Sequence, residues 1–145
     1  MKNASMFAIA FLITLSSFAT DLKISEKVMK AFETTFTDAE DIVWTNTENV
    51  YTVQFKQQGT VTYVKYDGEG NFLSSRRYYG NAKLPVDIQC RLQKSYPGKT
   101  VFGVTEFTIA DEVCYFVKLE DADTWSTVKI NQARSIELVE KMKKI

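Results

Sequence analysis

Two stretches of this chain, residues 28–66 and 88–130, carry the same order of apolar positions. A spacing of four residues between apolar side chains is typical of one helix face, and strict alternation is typical of a strand with one buried face. The matched residues are Val28, Phe32, Phe36, Ala39, Ile42, Trp44, Tyr51, Val53, Phe55, Val64 and Tyr66 in the first stretch, and Ile88, Leu92, Tyr96, Lys99, Phe102, Val104, Tyr115, Val117, Leu119, Val128 and Ile130 in the second. The sequence therefore predicts a helix followed by antiparallel strands, present twice.

The first 19 residues have the features of a secretory signal peptide. Lys2 supplies a positive charge, residues 6–18 are mostly apolar, and Ser17 and Ala19 place small side chains before a cleavage site. The alternative is a retained membrane anchor, but this apolar run is about 13 residues long, whereas about 20 are needed to span a bilayer. We expect cleavage after Ala19 and an exported protein, either periplasmic or secreted.

The length and charge of the exported part limit its number of domains and its possible partners. Residues 20–145 have the length of one domain, and we expect a single domain of two repeats at about 25–80 and 84–140. The full chain has 18 basic and 18 acidic residues, so no basic excess indicates a nucleic-acid or anionic membrane partner. Lys141, Lys143 and Lys144 are interpreted as a solvated tail. The oligomeric state stays open.

The coarse order of elements follows from periodicity and from turn residues. Helices are predicted from Ser25, as the N-cap residue, to Phe36, and from Pro85 to Tyr96, where Pro97-Gly98 ends the second helix. Residues 135–145 have a helix-like composition, but the repeat makes Ile136 the counterpart of Phe72 at the start of a strand, so a strand is expected. The other strands are predicted at 42–45, 51–57, 60–66, 72–79, 101–108, 113–120 and 125–130.

These elements predict an α+β fold in which one antiparallel sheet carries both helices on the same face. Alternation then divides the strand residues between the two faces. The side chains expected to point at the helices are Tyr51, Val53, Phe55, Val64, Tyr66, Tyr115, Val117, Leu119, Val128 and Ile130. Those expected to point away are Thr52, Gln54, Lys56, Val61, Tyr63, Lys65, Cys114, Phe116, Lys118, Trp125, Thr127 and Lys129.

The face that points away from the helices is the candidate binding surface. Tyr63, Phe116 and Trp125 would supply contact area, and Lys65, Lys118 and Lys129 would supply polar complementarity. The alternative is that these aromatic residues only pair across strands and stiffen the sheet. The basic and aromatic run Arg76-Arg77-Tyr78-Tyr79 is interpreted without a ligand, as a strand beside a solvated edge.

Chemistry for catalysis or metal binding is faint. The chain has no histidine, which excludes Ser-His and Cys-His pairs and histidine metal ligands. Glu120, Asp121 and Asp123 cluster at a predicted hairpin tip, where exposure leaves nothing to raise a carboxyl pKa. Asp67, Glu69 and Asn71 alternate as calcium ligands do, but Phe72 and Tyr78 stand where an EF-hand requires Gly and Glu. No catalytic residue, metal or cofactor is predicted.

The two cysteines are expected to stay free. Cys90 lies on the side of its helix opposite to Ile88 and Leu92, and Cys114 falls on the strand face that points away from the helices. The sheet would then separate the two thiols, whereas a disulfide needs Cα atoms within about 7 Å.

The segment Phe36-Thr37-Asp38-Ala39-Glu40-Asp41-Ile42-Val43-Trp44 resembles a segment found in PepSY-like proteins of Bacteroidetes. Leu84-Pro85, followed by a helix that ends at Tyr96-Pro97-Gly98, is similar to the second repeat of that family. Thr37 departs from its pattern, which has proline there, and residues 131–134 replace an expected glycine-containing turn.

The resemblance implies a fold like that of the β-lactamase-inhibitory protein, in which helix-and-sheet units present a sheet face to a partner. The function it suggests is an exported non-enzymatic module that binds, and could inhibit, a protein of the cell envelope. Three alternatives stay open: a binder of small molecules in a pocket between helices and sheet, a carboxylate hydrolase, and a structural protein that self-associates along sheet edges.

Overall fold

The computed structural model describes residues 22–145, so the predicted signal peptide lies outside the described residues. Within these residues, eight strands and two helices follow one another, with a short 3₁₀ helix at Asn81–Lys83. The elements are α1 (Glu26–Thr35), β1 (Glu40–Thr47), β2 (Val50–Gln57), β3 (Thr60–Tyr66), β4 (Phe72–Tyr79), α2 (Val86–Ser95), β5 (Thr100–Ile109), β6 (Glu112–Glu120), β7 (Thr124–Ile130) and β8 (Ile136–Lys143). The protein is therefore α+β.

The strands form one sheet in which spatial order equals chain order, from β1 to β8, and all neighbours are antiparallel. Residues directly opposite each other on paired strands share a sheet face. One such row runs Phe55, Thr62, Arg77, Glu106 and Tyr115, from the strands under α1 to those under α2. Both helices therefore cover the same face of the sheet.

Two separate apolar clusters lie between the helices and the sheet. Around α1, Val28 and Phe32 are buried on strands β2 and β3, and the ring of Phe32 lies 5.2 Å from that of Phe55 and 5.3 Å from that of Trp44. Around α2, Ile88 and Leu92 are buried against β4–β7. The ten residues expected to point at the helices are all buried, as the alternation predicted.

A band of polar side chains separates the two apolar clusters on the helix-covered face. It runs through the row of Thr62, Arg77 and Glu106, with Arg77 donating to Glu106 at 3.2 Å. The Tyr79 hydroxyl donates to the same carboxylate at 2.5 Å, and burial, followed by this hydrogen bond, raises the pKa of Tyr79. Each helix therefore has its own core on a shared sheet.

Most predicted boundaries lie within two residues of the observed ones, and residues 136–143 form a strand, as the repeat predicted. A helix followed by four strands occurs twice, although the duplication of sequence stays a prediction. Ser25 is the N-cap residue of α1, as predicted, although its side chain makes no cap hydrogen bond and its hydroxyl donates to the carbonyl of Gly68. One detail at the C-terminus was wrong. Lys144 is no solvated tail, since its ammonium pairs with Glu120 at 2.8 Å.

Candidate functional site

The sheet face opposite to the helices, here called the open face, carries all six predicted binding residues. One row across it runs Tyr63, Arg76, Phe107 and Cys114 on β3–β6. A second runs Val61, Tyr78, Thr105, Phe116 and Lys129 on β3–β7. Within residues 22–145, neither helix covers this face.

The structure divides the predicted residues into two groups. Phe116, Lys118, Trp125 and Lys129 lie together on β6 and β7, with Phe116 directly opposite Lys129. Tyr63 and Lys65 lie on β3, three strands away from β6. At about 4.8 Å per strand, the two groups are roughly 14 Å apart.

Phe102 completes the first group, because a β-bulge brings it onto the open face. Val101 opposes Leu119 and Gly103 opposes Lys118, so Phe102 is the extra residue of β5. Its ring lies edge-on to that of Trp125, with ring centroids 4.9 Å apart. The ammonium groups of Lys118 and Lys144 lie 4.8 Å and 4.4 Å from the Trp125 ring centroid. We call Phe102, Lys118, Trp125 and Lys144 the Trp125 cluster.

Tyr63 belongs to a second group, the Arg76 cluster, formed by Tyr63, Arg76 and Tyr78. The guanidinium carbon of Arg76 lies 4.6 Å from the Tyr63 ring centroid and 5.3 Å from that of Tyr78. The two rings are nearly perpendicular, with centroids 6.0 Å apart. Cation–π contacts of this kind hold a cation in place.

The interpretation of residues 76–79 as a strand beside a solvated edge was wrong. β4 is paired on both sides, with β3 and with β5, so it is an interior strand. The expected alternation holds: Arg76 and Tyr78 lie on the open face, whereas Arg77 and Tyr79 lie on the helix-covered face.

Sequence reasoning missed several residues of the open face. Phe107 lies between the two clusters, with its ring 5.7 Å from that of Phe116, and Ile109 beside it is 59% exposed. Alternation along β4 could have found Arg76. Gly103 beside Phe102 is a residue type that often marks a bulge, but the face that Phe102 takes depends on the register against β6. Lys144 could not be assigned, because its position depends on β8 pairing with β7.

Four cations of the open face, Lys65, Arg76, Lys118 and Lys129, form no ion pair with any residue from 22 to 145. Cations nearer the edges are neutralised, since Lys56 pairs with Asp41 at 2.8 Å and Lys144 pairs with Glu120. Lys129 lies directly opposite Glu137 on β8, so the positive charge without a facing carboxylate lies around Lys65 and Arg76.

The acidic turn after β6 stabilises the fold and is poorly suited to acid catalysis. Asp121 accepts hydrogen bonds from the backbone N–H groups of Asp123 and Thr124 at 2.9 Å and 2.6 Å, and from the Lys99 ammonium at 2.5 Å. The Lys99 hydrogen bond is the largest cause that lowers the pKa of Asp121. A general acid near neutral pH needs the opposite shift.

The remaining candidates carry no clear chemistry. Cys90 is an exposed free thiol on α2, and Cys114 is a half-buried one on the open face, each on the side predicted for it. Among residues 22–145, no three His, Cys, Asp or Glu side chains are grouped to hold a metal ion. In the same range, no helix is both long and apolar enough to cross a membrane.

This geometry defines a class: an α+β protein whose single antiparallel sheet has one face covered by helices and the other left open. Solved structures of the same class are similar to it. A BLIP-like protein from Bacteroides fragilis NCTC 9343 is 18% identical, with a TM-score of 0.61 over 84% of this chain and 87% of that one. A DUF2874 family protein from Bacteroides uniformis ATCC 8492 is also 18% identical, with a TM-score of 0.58 over 81% and 88%.

A third structure, of a proposed periplasmic protein from Bacteroides eggerthii DSM 20697, is 13% identical, with a TM-score of 0.59 over 83% of this chain and 89% of that one. At these identities the likeness establishes the fold alone. No protein-family model matches the sequence. The comparison with curated proteins finds no match either. The predicted likeness to a BLIP-like fold is thus confirmed at the level of structure, and the PepSY-like assignment stays a prediction.

Proposed function

We propose that this protein is an exported, non-enzymatic binding module that engages a protein or peptide through its open face. The observation that carries the proposal is the combination, on an uncovered sheet face, of two aromatic clusters with unpaired cations. Aromatic residues and arginine dominate the energetically important positions of protein interfaces. The Arg76 cluster contains both kinds, and the Trp125 cluster combines two aromatic residues with two lysines.

The open face also has the size of a protein interface. Eight strands about 4.8 Å apart and seven to ten residues long give an area of roughly 900 Å². A stable protein–protein interface buries about 800 Å² on each partner. A partner that covers most of the sheet would therefore meet both clusters at once.

Pairing across strands explains some of these aromatic residues but not all of them. Phe116 and Tyr63 are half-buried among their neighbours, as pairing alone would leave them. Phe102 is 60% exposed and Ile109 is 59% exposed, so both leave apolar surface in water that a partner could cover. The partly exposed apolar residues thus favour binding over a purely stiffening role.

The structural neighbours support an inhibitor-like mode of action as part of this proposal. One of them is described as BLIP-like and another as a proposed periplasmic protein. We propose, accordingly, that the chain is cleaved after Ala19, folds as one domain of two repeats, and acts by covering the surface of an envelope protein.

The main alternative, a small-molecule pocket between helices and sheet, has less support. Phe32 and Phe55 fill the interior under α1, and Ile88, Leu119 and Ile130 fill that under α2, each at most 2% exposed. The cavity beside α2, of about 580 Å³, is lined by polar side chains such as Gln89 and Gln93 together with apolar ones such as Leu92 and Leu119. A ligand that raises the melting temperature without contacting the open face would favour this alternative.

The proposal is tested by affinity capture from envelope and secreted fractions of the source organism. The mature protein, from Thr20, is compared with a Tyr63→Ser, Phe116→Ser, Trp125→Ser triple variant. A matched control carries Phe72→Ser and Val86→Ser, which remove apolar surface outside the open face, since Phe72 opposes the buried Tyr66 and Val86 lies on α2. Circular dichroism and melting temperature verify that each variant is folded.

A protein captured by the wild type and the control but lost by the triple variant would support binding through the open face. Capture that the triple variant retains, or that the control abolishes instead, would contradict it. Turnover of ester, peptide or glycoside substrates that Asp121→Asn abolishes would contradict the non-enzymatic part.

A further inference from the structure

The Arg76 cluster contains a cation that lies against two aromatic rings but has no hydrogen-bond or ion-pair partner among the described residues. Among residues 22–145, no side-chain hydrogen bond or ion pair involves Arg76, and its Nε atom is buried without a partner. Buried polar atoms without a partner are rare in folded proteins, and each one calls for an explanation such as a missing ligand or water. Its neighbour Arg77, on the other face, is paired with Glu106.

The same guanidinium is held in place before any partner arrives. Tyr63 opposes Arg76 on β3, and Tyr78 follows two residues later on β4, so both rings flank the cation from the same face. A guanidinium fixed in this way loses little side-chain entropy when it binds an acceptor. Its planar fork of donors fits the two oxygens of a carboxylate.

A small cavity adjoins Arg76 on the open face. Its volume is about 230 Å³, and it is lined by the second cation Lys65, by the hydroxyls of Thr52 and Ser74, and by Phe107 and Ile109. The cationic and hydroxyl-bearing side is suited to an anionic group, while Phe107 and Ile109 form an apolar side. This combination fits an acidic side chain with an apolar neighbour better than it fits a purely charged polymer.

The charges around the cavity point to the same chemistry. Lys65 and Arg76 have no carboxylate within 4 Å among residues 22–145. The acidic residue of the same face nearest in register is Glu112, which opposes Ile109 on the far side of β5. The cavity thus offers two positive charges that the protein itself leaves unneutralised.

We propose that this cavity is a docking site for an aspartate or glutamate side chain of a protein partner. The carboxylate binds the Arg76 guanidinium next to Lys65, and an apolar residue beside it in the partner packs on Phe107 and Ile109. This inference rests on the proposed function, because it assigns the chemistry of one part of the same open face.

The test is a peptide-display selection on the mature protein, run in parallel on Arg76→Gln. Arg77→Gln is the matched control, since it removes the same charge from the adjacent position on the helix-covered face. We expect sequences selected by the wild type and by Arg77→Gln to be enriched in Asp or Glu next to an apolar residue. The Arg76→Gln pool should lose that enrichment.

A synthetic copy of the best selected peptide then gives the affinity by calorimetry. Arg76→Gln should weaken binding about tenfold or more, and replacing the peptide's acidic residue with its amide should cost a similar factor. Making both changes together should cost little more than either alone, because the two groups act as a pair.

Two outcomes overturn the inference, and they differ in what they leave standing. In the first outcome, the selected peptides need Tyr63, Phe116 and Trp125 but show no acidic preference, or they bind Arg76→Gln as well as the wild type. This outcome contradicts the Arg76 site and leaves the open face as a binding surface. If the wild type selects no peptides beyond those that the Tyr63→Ser, Phe116→Ser, Trp125→Ser variant selects, the result contradicts both the Arg76 site and the proposed function.

Discussion

Asp121, in the acidic cluster for which no catalytic role was predicted, makes hydrogen bonds that stabilise the fold. Its carboxylate accepts the backbone N–H groups of its own turn and the ammonium of Lys99, whose side chain is only 14% exposed. These interactions favour the ionised form of the carboxyl and tie the β6–β7 turn to the start of β5. The structure thus gives Asp121 a stabilising role, and the absence of a catalytic role stays a prediction.

The lowered pKa of Asp121 predicts a pH dependence of stability. Because its pKa is lower in the folded than in the unfolded protein, the contribution is fully present above the ordinary value of about 3.8 and is lost as pH falls through the folded-state pKa. We expect Asp121→Asn to reduce stability at pH 7 and to reduce the further loss between pH 4 and pH 2. Urea unfolding at several pH values measures both.

Asp123→Asn is the matched control, since the Asp123 side chain makes no hydrogen bond in the described turn. It should leave both stability and its acid dependence nearly unchanged. Some acid sensitivity will persist in Asp121→Asn, because hydrogen bonds from Asn71 also lower the pKa of Asp67. An unchanged acid dependence in Asp121→Asn would contradict the assignment.

At the scale of elements, α1 is attached to the sheet by the β3–β4 turn as well as by its apolar face. The Ser25 hydroxyl donates to the carbonyl of Gly68 at 3.1 Å, and Lys27 pairs with Glu69. Gly70 approaches the backbone of α1 so closely that a Cβ there would lie 2.7 Å from the Lys27 carbonyl oxygen. The turn and the first turn of the helix are therefore fitted to each other.

Gly70→Ala is expected to destabilise the protein more than Gly59→Ala does. Both glycines have positive φ, +84° and +73°, so each substitution carries a backbone strain of about 1 kcal/mol. Only Gly70 would also bring a Cβ against backbone, because nothing lies within 4 Å of the corresponding position at Gly59. We expect Gly70→Ala to cost roughly 2–3 kcal/mol in urea unfolding. Equal costs for the two variants would show that α1 moves aside freely.

The sequence predicted where strands begin and end better than it predicted which strands pair. Strand β4 was predicted at its observed limits, because alternation within a strand is a local pattern. Its interior place, and with it the role of Arg76, depends on pairing with β5, which follows only after α2. The β5 bulge that exposes Phe102 lies beside Gly103, a residue type found at bulges, but the face that Phe102 takes is set by the register against β6.

For the molecule as a whole, one sheet joins two cores that share no buried side chain. The first cluster lies on β2 and β3 and the second on β4–β7, with the polar band of Thr62, Arg77 and Glu106 between them. The backbone hydrogen bonds of the continuous sheet join the two halves. Changes in one core should therefore be felt weakly in the other.

Val53→Ala and Val117→Ala, one in each core, are expected to be additive. Each removes two buried carbon atoms from a fully buried side chain and should cost about 2 kcal/mol. Since the sites are in different clusters, the double variant should cost the sum within about 0.5 kcal/mol in urea unfolding. As a contrast, Val117→Ala and Val128→Ala are direct partners in one core and should deviate from additivity. Strong coupling between Val53 and Val117 would contradict separate cores.

The sequence by itself determined the type and order of the main elements, the strand residues that face the helices and part of the open face, from Tyr63 and Lys65 to Trp125 and Lys129. It could do so because helix spacing and strand alternation are local consequences of backbone geometry. Tertiary structure alone decided which open-face residues lie together: Trp125 with Phe102 and Lys144, and Tyr63 with Arg76. Those groupings depend on register and on one bulge, which are fixed by packing between distant segments of the chain.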